Sequence, residues 1–230
     1  MEKLIYLLGD TEPGSLPRAR TDLREALLES GPALARAGAQ QASFTVADLD
    51  DSDADRVPQF NRSGLIDATL SLWLESVDHR QQIESTLSPL AMRLAGYLVT
   101  ESVPRALQGP DPRPGERGPG VSLVTTFPKP ERIDDETFYA RWHGSHTPLS
   151  LEIHPLLQYI RNSVARVLTP GAPRLHAIVN ESVASAGIAA DPVAFYRTKD
   201  DRKRAVEDLL SFIDLETLST VVMSEYALAD

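Results

Sequence analysis

The chain has no cysteine among its 230 residues. That excludes a disulfide framework, a thiol nucleophile, an iron–sulfur cluster and a thiolate zinc site. Its chemistry must therefore come from histidine, carboxylate, hydroxyl, lysine, arginine or a bound cofactor. A reducing, cytoplasmic setting is expected on the same ground. Basic charge is also scarce: 23 Lys and Arg stand against 33 Asp and Glu, a formal net charge of −10 with a pI near 5.0. Nucleic acids and anionic membrane surfaces both reward clustered Lys and Arg, so neither is an expected partner. Small molecules or other protein chains are. No apolar run approaches the roughly 20 residues needed to cross a bilayer. The opening run LIYLL stops at Gly9-Asp10, too short for the apolar core of a signal peptide. Gly-x-Gly-x-x-Gly after a strand, the phosphate-cradling Gly-x-x-x-x-Gly-Lys-Ser/Thr and the Gly-x-Ser-x-Gly elbow are all missing. The chemistry is expected to need no cofactor.

What is present is arranged about one interruption. Residues 109–120, GPDPRPGERGPG, hold four Pro and four Gly and no hydrophobic side chain. Such a stretch neither joins a central strand nor continues a helix, because Pro removes a donor and Gly weakens regular structure. It reads as a linker between a first unit, 1–108, and a second, 121–230, each of normal domain size.

In the first unit, 3–8 (KLIYLL) reads as a buried strand. Residues 18–37 carry Leu23, Leu27 and Leu34 at helical spacing, with Gly31-Pro32 as a candidate break. Strands are expected at 43–49, 65–74 and 96–107 and a helix at 78–90, while the acidic stretch 50–55 reads as a solvated loop rather than a calcium loop. The second unit repeats the order. It has strands at 121–127, 156–167, 174–183 and 217–228, a helix opened by Asp134 and running through 138–153, and another at 200–212. The closing strands even echo each other, LVTES at 98–102 against VMSEY at 222–226. The order βαββαβ, twice, is the ferredoxin-like arrangement. Both helices lie on one face of such a sheet, which leaves the other face apolar and uncovered. The expected fold is α+β: two tandem ferredoxin-like units whose antiparallel sheets pack face to face as a fused α+β barrel around a pocket. The alternative is two independent domains. Fusion makes an obligate dimer unnecessary, although edge strands leave a homodimer open.

Only five histidines occur, and three crowd into WHGSHTPLSLEIH: His143, His146 and His154. At helical spacing His143 and His146 are near neighbours on one stripe, so both imidazoles could address one spot. A positioned histidine is the usual acid or base near neutral pH. Helix capping or hydrogen bonding within a core is the alternative. A metal site is not expected, because the helical zinc pattern is His-x-x-x-His with a Glu and Gly144 loosens the platform. On the strand at 156–167, Leu157, Tyr159, Arg161 and Ser163 point one way and Leu156, Gln158, Ile160, Asn162 and Val164 the other. Tyr159 and Arg161 could hold an anionic or phenolic group inside the barrel. Arg161 could equally pair with Glu181 or Glu225. Trp73, Trp142 and Tyr226 read foremost as core, with Trp142 kept also as a substrate contact.

These residues carry a resemblance. Thr126-Phe127-Pro128-Lys129-Pro130, then Phe138 through Leu149 (FYARWHGSHTPL), His154-Pro155-Leu156 and Tyr159-Ile160-Arg161-Asn162 are similar to the EthD-like family of the dimeric α+β barrel superfamily. The span from Trp142 to Pro148 carries it. Members and relatives include dehydratases, decarboxylases and cyclases acting on aromatic polyketides. The resemblance implies a pocket histidine that moves protons, and His146 matches its position most closely. The first unit has Arg24-Glu25-Ala26-Leu27 where that motif would stand, so two equivalent sites are not implied. The expected function is a lyase or isomerase, cofactor-independent, acting by proton transfer on an apolar carbonyl or phenolic substrate in the barrel pocket. His146 is the expected acid or base, His143 or His154 its partner, and Tyr159, Arg161 and Trp142 contact substrate. The alternative is a non-catalytic small-ligand binding or accessory protein.

Overall fold

Strand after strand in this chain is buried on both faces, and that decides the architecture. In β1 (Glu2–Gly9) Leu4, Tyr6 and Leu8 join one apolar cluster while Ile5 and Leu7 join another. A sheet with two buried faces needs two covers. The computed structural model, which describes residues 1–17, 19–49 and 52–228, supplies both. Arg18, where the first helix is expected to begin, and Asp50 and Asp51 of the acidic loop lie outside the described residues.

The first half contains β1, α1 (Thr21–Arg36), β2 (Gln40–Val46), β3 (Ala68–Leu74), α2 (Gln81–Leu87) and β4 (Arg93–Arg105). The second contains β5 (Val121–Phe127), α3 (Asp135–Arg141), a π-helical turn at Trp142–His146, α4 (Thr147–Ile153), β6 (Leu156–Val167), β7 (Ala177–Val183), α5 (Ala186–Ala190), α6 (Pro192–Tyr196), α7 (Lys199–Leu210) and β8 (Ser219–Ala227). Within each half the strand order is the ferredoxin-like one, β4-β1-β3-β2 and β6-β7-β5-β8. The two sheets also join. β2 pairs antiparallel with β8 from Ser43↔Ala227 to Val46↔Ser224, and β4 pairs with β6 from Tyr97↔Val167 to Arg105↔Tyr159. The result is one closed antiparallel barrel, β1-β3-β2-β8-β5-β7-β6-β4, with the helices outside. Closure removes the free strand edges through which a homodimer could have paired, so the edge-strand route left open by the sequence is shut.

The alternation fixes two environments. Leu4, Tyr6, Phe44, Leu70 and Leu72 face outward under α1 and α2, and Phe127, Val179 and Val222 face outward under the helices of the second half. Lys3, Ile5, Thr45, Thr69, Asn162, Asn180 and Glu225 face the lumen.

Several element bounds differ from the sequence reading for local reasons. The first helix runs unbroken through Gly31-Pro32. Pro32 sits on the solvent side, so only one ladder bond is lost, while Leu27, Gly31 and Leu34 bury the opposite face. The expected helix at 78–90 shortens to Gln81–Leu87 behind a 3-10 turn at Val77–His79. Two short helices, α5 and α6, stand where no element is expected. They bury little beyond Ala186 and Ala189 and so carry no apolar period, but Ser185 and Asp191 cap them.

The stretch 109–120 crosses the end of the barrel and is fastened to β8: Gly115 N donates to Ala227 O at 2.8 Å and Gly118 N to Glu225 O at 2.7 Å. Gly120 ends it at φ +73°, where a Cβ would stand 2.0 Å from the Val183 carbonyl oxygen. Gly115 has φ +83° and open space. Urea unfolding is therefore expected to show Gly120→Ala costing roughly 2–3 kcal/mol, from strain plus clash, against about 1 kcal/mol for Gly115→Ala. Equal costs would contradict the close approach.

Candidate functional site

The histidine helix is built by its cap and its aromatic anchors. The Asp134 carboxylate accepts from Thr137 N at 2.7 Å, starting α3. Phe138 and Trp142, both essentially inaccessible, then pack edge-on against Phe127. Phe212 from the end of α7 meets Phe127 and Phe138 in the same way. These four rings seat the helix on the outer face of the second sheet. At Trp142 the winding widens to a π turn, and the Trp142 carbonyl accepts both from the Thr147 backbone N–H, the i→i+5 bond of that turn, and from the Thr147 hydroxyl at 3.0 Å.

The turn brings His146 to Asp208 on α7. Its Nδ1 lies 2.8 Å from Asp208 Oδ2, and Ser145 Oγ donates to the other carboxylate oxygen. Both side chains are 15% exposed. Burial pushes the Asp208 carboxyl upward, but the bonds from His146 and Ser145 outweigh it and hold the group below the ordinary Asp range. An ionised Asp208 accepting from Nδ1 leaves Nε2 of His146 as the free ring nitrogen. Glu181 on β7 is a partly buried carboxyl raised chiefly by desolvation, with His146 acting in the opposite sense.

Around this pair lie the other expected residues. The His154 ring is buried, stacks on Phe195 with centroids 4.2 Å apart, and has Nδ1 3.1 Å from the Phe195 carbonyl. Burial depresses it to about 4, so it is neutral near pH 7. His143 lies 4.6 Å from Trp142, centroid to centroid, and burial followed by the charge of Arg161 depresses it to about 4 as well. Its Nε2 is buried without a partner among the described residues. Tyr159 and Arg161 converge on Thr147 Oγ1, at 3.4 Å from the Tyr159 hydroxyl and 2.8 Å from Arg161 Nη1. Burial raises the Tyr159 hydroxyl, and Arg161 bonds Thr147 rather than either glutamate. Glu225 in particular faces the opposite side of the sheet. Trp142 is part of the aromatic core.

One expectation is corrected. Tyr159, Arg161 and the histidines do not look into the lumen. The lumen cavity, about 410 Å³, is lined on β6 by Gln158, Ile160 and Asn162, and none of the five histidines lines it. The pairing of alternate residues read from the sequence is right, but the sense is reversed. Helices lie outside a closed barrel, so groups they carry can meet only the outward residues of β6. Among the described residues no three His, Cys, Asp or Glu converge as a metal set. No helix among them is long and apolar enough to cross a membrane. The sequence reading missed Asp208, 62 residues from its partner with no local signal. Glu181 is read from the sequence only as a candidate partner of Arg161, and between Asn180 and Ser182 nothing in β7 marks it for His146.

The buried imidazole of His154 makes stability depend on pH. Its folded pKa, about 4, lies below the ordinary 6.5. The stabilisation is thus complete above pH 6.5 and is lost as pH falls toward 4. Thermal unfolding between those limits is expected to show the native chain losing about 3 kcal/mol more than His154→Asn. Parallel pH curves for the two would show that burial does not disfavour the charged ring.

No protein-family model and no curated protein matches the chain. Among solved structures it is similar to an anthrone oxidase-like protein, 14% identical, with a TM-score of 0.60 over 100% of this chain and 94% of that one. It is also similar to a dye-decolorizing peroxidase from Bacteroides thetaiotaomicron, 9% identical with a TM-score of 0.50, covering 99% of this chain and 93% of that one. A mutant chlorite dismutase from Candidatus Nitrospira defluvii is 12% identical with a TM-score of 0.48, covering 99% and 92%. At such identities the likeness is one of architecture: the chain has the dimeric α+β barrel fold, with both halves in a single polypeptide.

Proposed function

We propose that the chain is a small-molecule enzyme of lyase or isomerase type, a dehydratase, decarboxylase or cyclase, working by proton transfer at His146. The observation that carries this is the 2.8 Å contact between His146 Nδ1 and Asp208 Oδ2. A carboxylate at that nitrogen fixes the tautomer, leaves Nε2 with its lone pair, and stabilises the imidazolium that forms. Nε2 then removes a proton from a carbon beside a carbonyl or from a phenol. The same imidazolium returns it to another carbon or to the departing oxygen, so His146 ends the cycle as it began. His143 and His154, neutral near pH 7, are the second acid–base candidates. Arg161 and Tyr159 orient the substrate oxygen near Thr147, with Trp142 as an apolar wall. On this reading the substrate lies between the helices and the outer face of the second sheet, and no cofactor takes part.

The motif from Trp142 to Pro148 supports a place near the EthD-like family, the lack of cysteine a cytoplasmic setting, and the Pro- and Gly-rich stretch a division at 109–120 into units 1–108 and 121–230, of which only the second carries the site. Any homodimer would form through the helical exterior. An anthrone is an apolar aromatic ketone with an acidic C–H, and compounds of that kind are the first to try.

The test is a panel of aromatic and polyketide-like ketones and phenols, scored first by thermal stabilisation and then by turnover. His146→Gln is expected to lower kcat about 10²- to 10⁴-fold with little change in Tm. Asp208→Asn, which offers Nδ1 a donor as readily as an acceptor, lowers it less and moves the pH profile. Turnover indifferent to His146 would discard the assignment. Tight binding without turnover would favour a ligand-binding or accessory protein.

A further inference from the structure

The lumen is a second chemical environment that the acid–base chemistry leaves unused. Its cavity of about 410 Å³ draws lining residues from all eight strands and is covered at one mouth by Leu107, Asp111, Pro112 and Pro119. That volume lies at the lower end of small-molecule pockets.

A polar belt runs around the inside. Lys3, 5% exposed, is ion-paired with Glu101. Glu101 stands directly opposite Asn162 across the β4–β6 seam, and Asn180 lies diagonal to Asn162 on β7. Glu225 Oε2 accepts from Asn180 Nδ2 at 3.2 Å and from Ser122 Oγ at 3.3 Å. Asn162, 3% exposed, donates its Nδ2 to the Ile178 carbonyl at 3.1 Å. Each amide is thus oriented by the acceptor it serves. What is left over is of one kind: Asn162 Oδ1 and Asn180 Oδ1 are buried acceptors with no donor among the described residues. A buried oxygen of this sort costs free energy until it meets an N–H or O–H. The formal charge is one-sided as well. Lys3 is ion-paired with Glu101 and also acts on Glu225, so one positive charge stands inside against two carboxylates, with Asp111 at the mouth. Burial raises the Glu225 carboxyl even against its bonds to Asn180, Ser122 and Ser43 and the charge of Lys3, and a second cation beside it would favour its ionised form. Ile5, Val124, Ile160 and Ile178 give the same cavity apolar walls.

We propose that the barrel lumen is a binding site, separate from the histidine layer, for a small organic ammonium: a primary amine whose N–H groups meet Asn162 Oδ1, Asn180 Oδ1 and Glu225 while its apolar body lies on the isoleucines and Val124. Two unpaired acceptors beside a carboxylate select three convergent donors and a positive charge. A carboxylate-bearing compound meets two acceptors and the two carboxylates that already hold Lys3, and an alcohol brings one donor.

Phenethylamine, 2-phenylethanol and phenylacetate differ in little but the head group, and each is titrated calorimetrically into the full chain. The amine is expected to bind at least about tenfold more tightly than the alcohol, with phenylacetate weakest. Glu225→Gln removes the advantage of the amine over the alcohol. Asn162→Leu, which deletes one acceptor at similar volume, reduces it independently should the first variant not fold. His146→Gln leaves amine affinity unchanged, which separates this site from the proposed catalytic one. Failure of the amine to bind, equal affinity for all three compounds, preference for phenylacetate, or loss of amine binding in His146→Gln each overturns the proposal.

Discussion

Everything in this molecule rests on a ring of strands that closes within one chain. The seams, β2 with β8 and β4 with β6, turn two four-stranded sheets into a cylinder with an inside and an outside. A strand in such a wall has no free face and no free edge. Its even and odd residues therefore live in different solvents: one set under helices, the other in a partly polar lumen. The apolar outer set supplies most of the burial and includes Tyr6, Phe44, Phe127 and Tyr159. That leaves the inner set free to carry Lys3, Asn162, Asn180 and Glu225, which a solid core would have to replace with aliphatic side chains.

The histidine layer follows from the same geometry. α3, the π turn and α4 lie on the outside, so their imidazoles are paired with what α7 and the outward residues of β6 and β7 can offer: Asp208, Tyr159, Arg161, Thr147 and Glu181. Burial acts on these groups unequally. His143 and His154 are desolvated and held neutral near pH 7, whereas His146 has a carboxylate at its Nδ1. Three histidines of one short segment thus acquire different electrostatic characters, and the distinction arises from partners far away in the chain.

Much of the architecture was legible because it depends on local pattern. β5 and β6 begin and end where the alternation of VSLVTTF and LLQYIRNSVARV says, and Asp134 caps α3 as its spacing to Thr137 implies. The repeated βαββαβ order carried the fold class. What was not legible depends on three-dimensional closure. Alternation separates Tyr159 and Arg161 from Gln158 and Asn162, but it cannot say which set faces a helix until the wall has an inside. Asp208 sits among the charges of KDDRKRAVEDLL, where nothing marks it apart from Asp200 or Asp201. The helices α5 and α6 escaped because they use caps and alanines rather than a stripe of large side chains.

The π turn at Trp142–His146 holds one more residue than an α-helix would use over the same span. Gly144 within it has open space where a Cβ would stand, so no neighbour compels that widening by crowding. The surplus residue acts as a phase shift: everything upstream keeps step with Phe127 and Phe212, while everything downstream is turned so that an imidazole meets α7. Remove it, and regular winding resumes with the aromatic anchors still seated, but His146 swings through about 100° and Asp208 is left facing another side chain. One residue more or fewer in this segment is thus enough to separate a chain that merely folds from one that holds this pair.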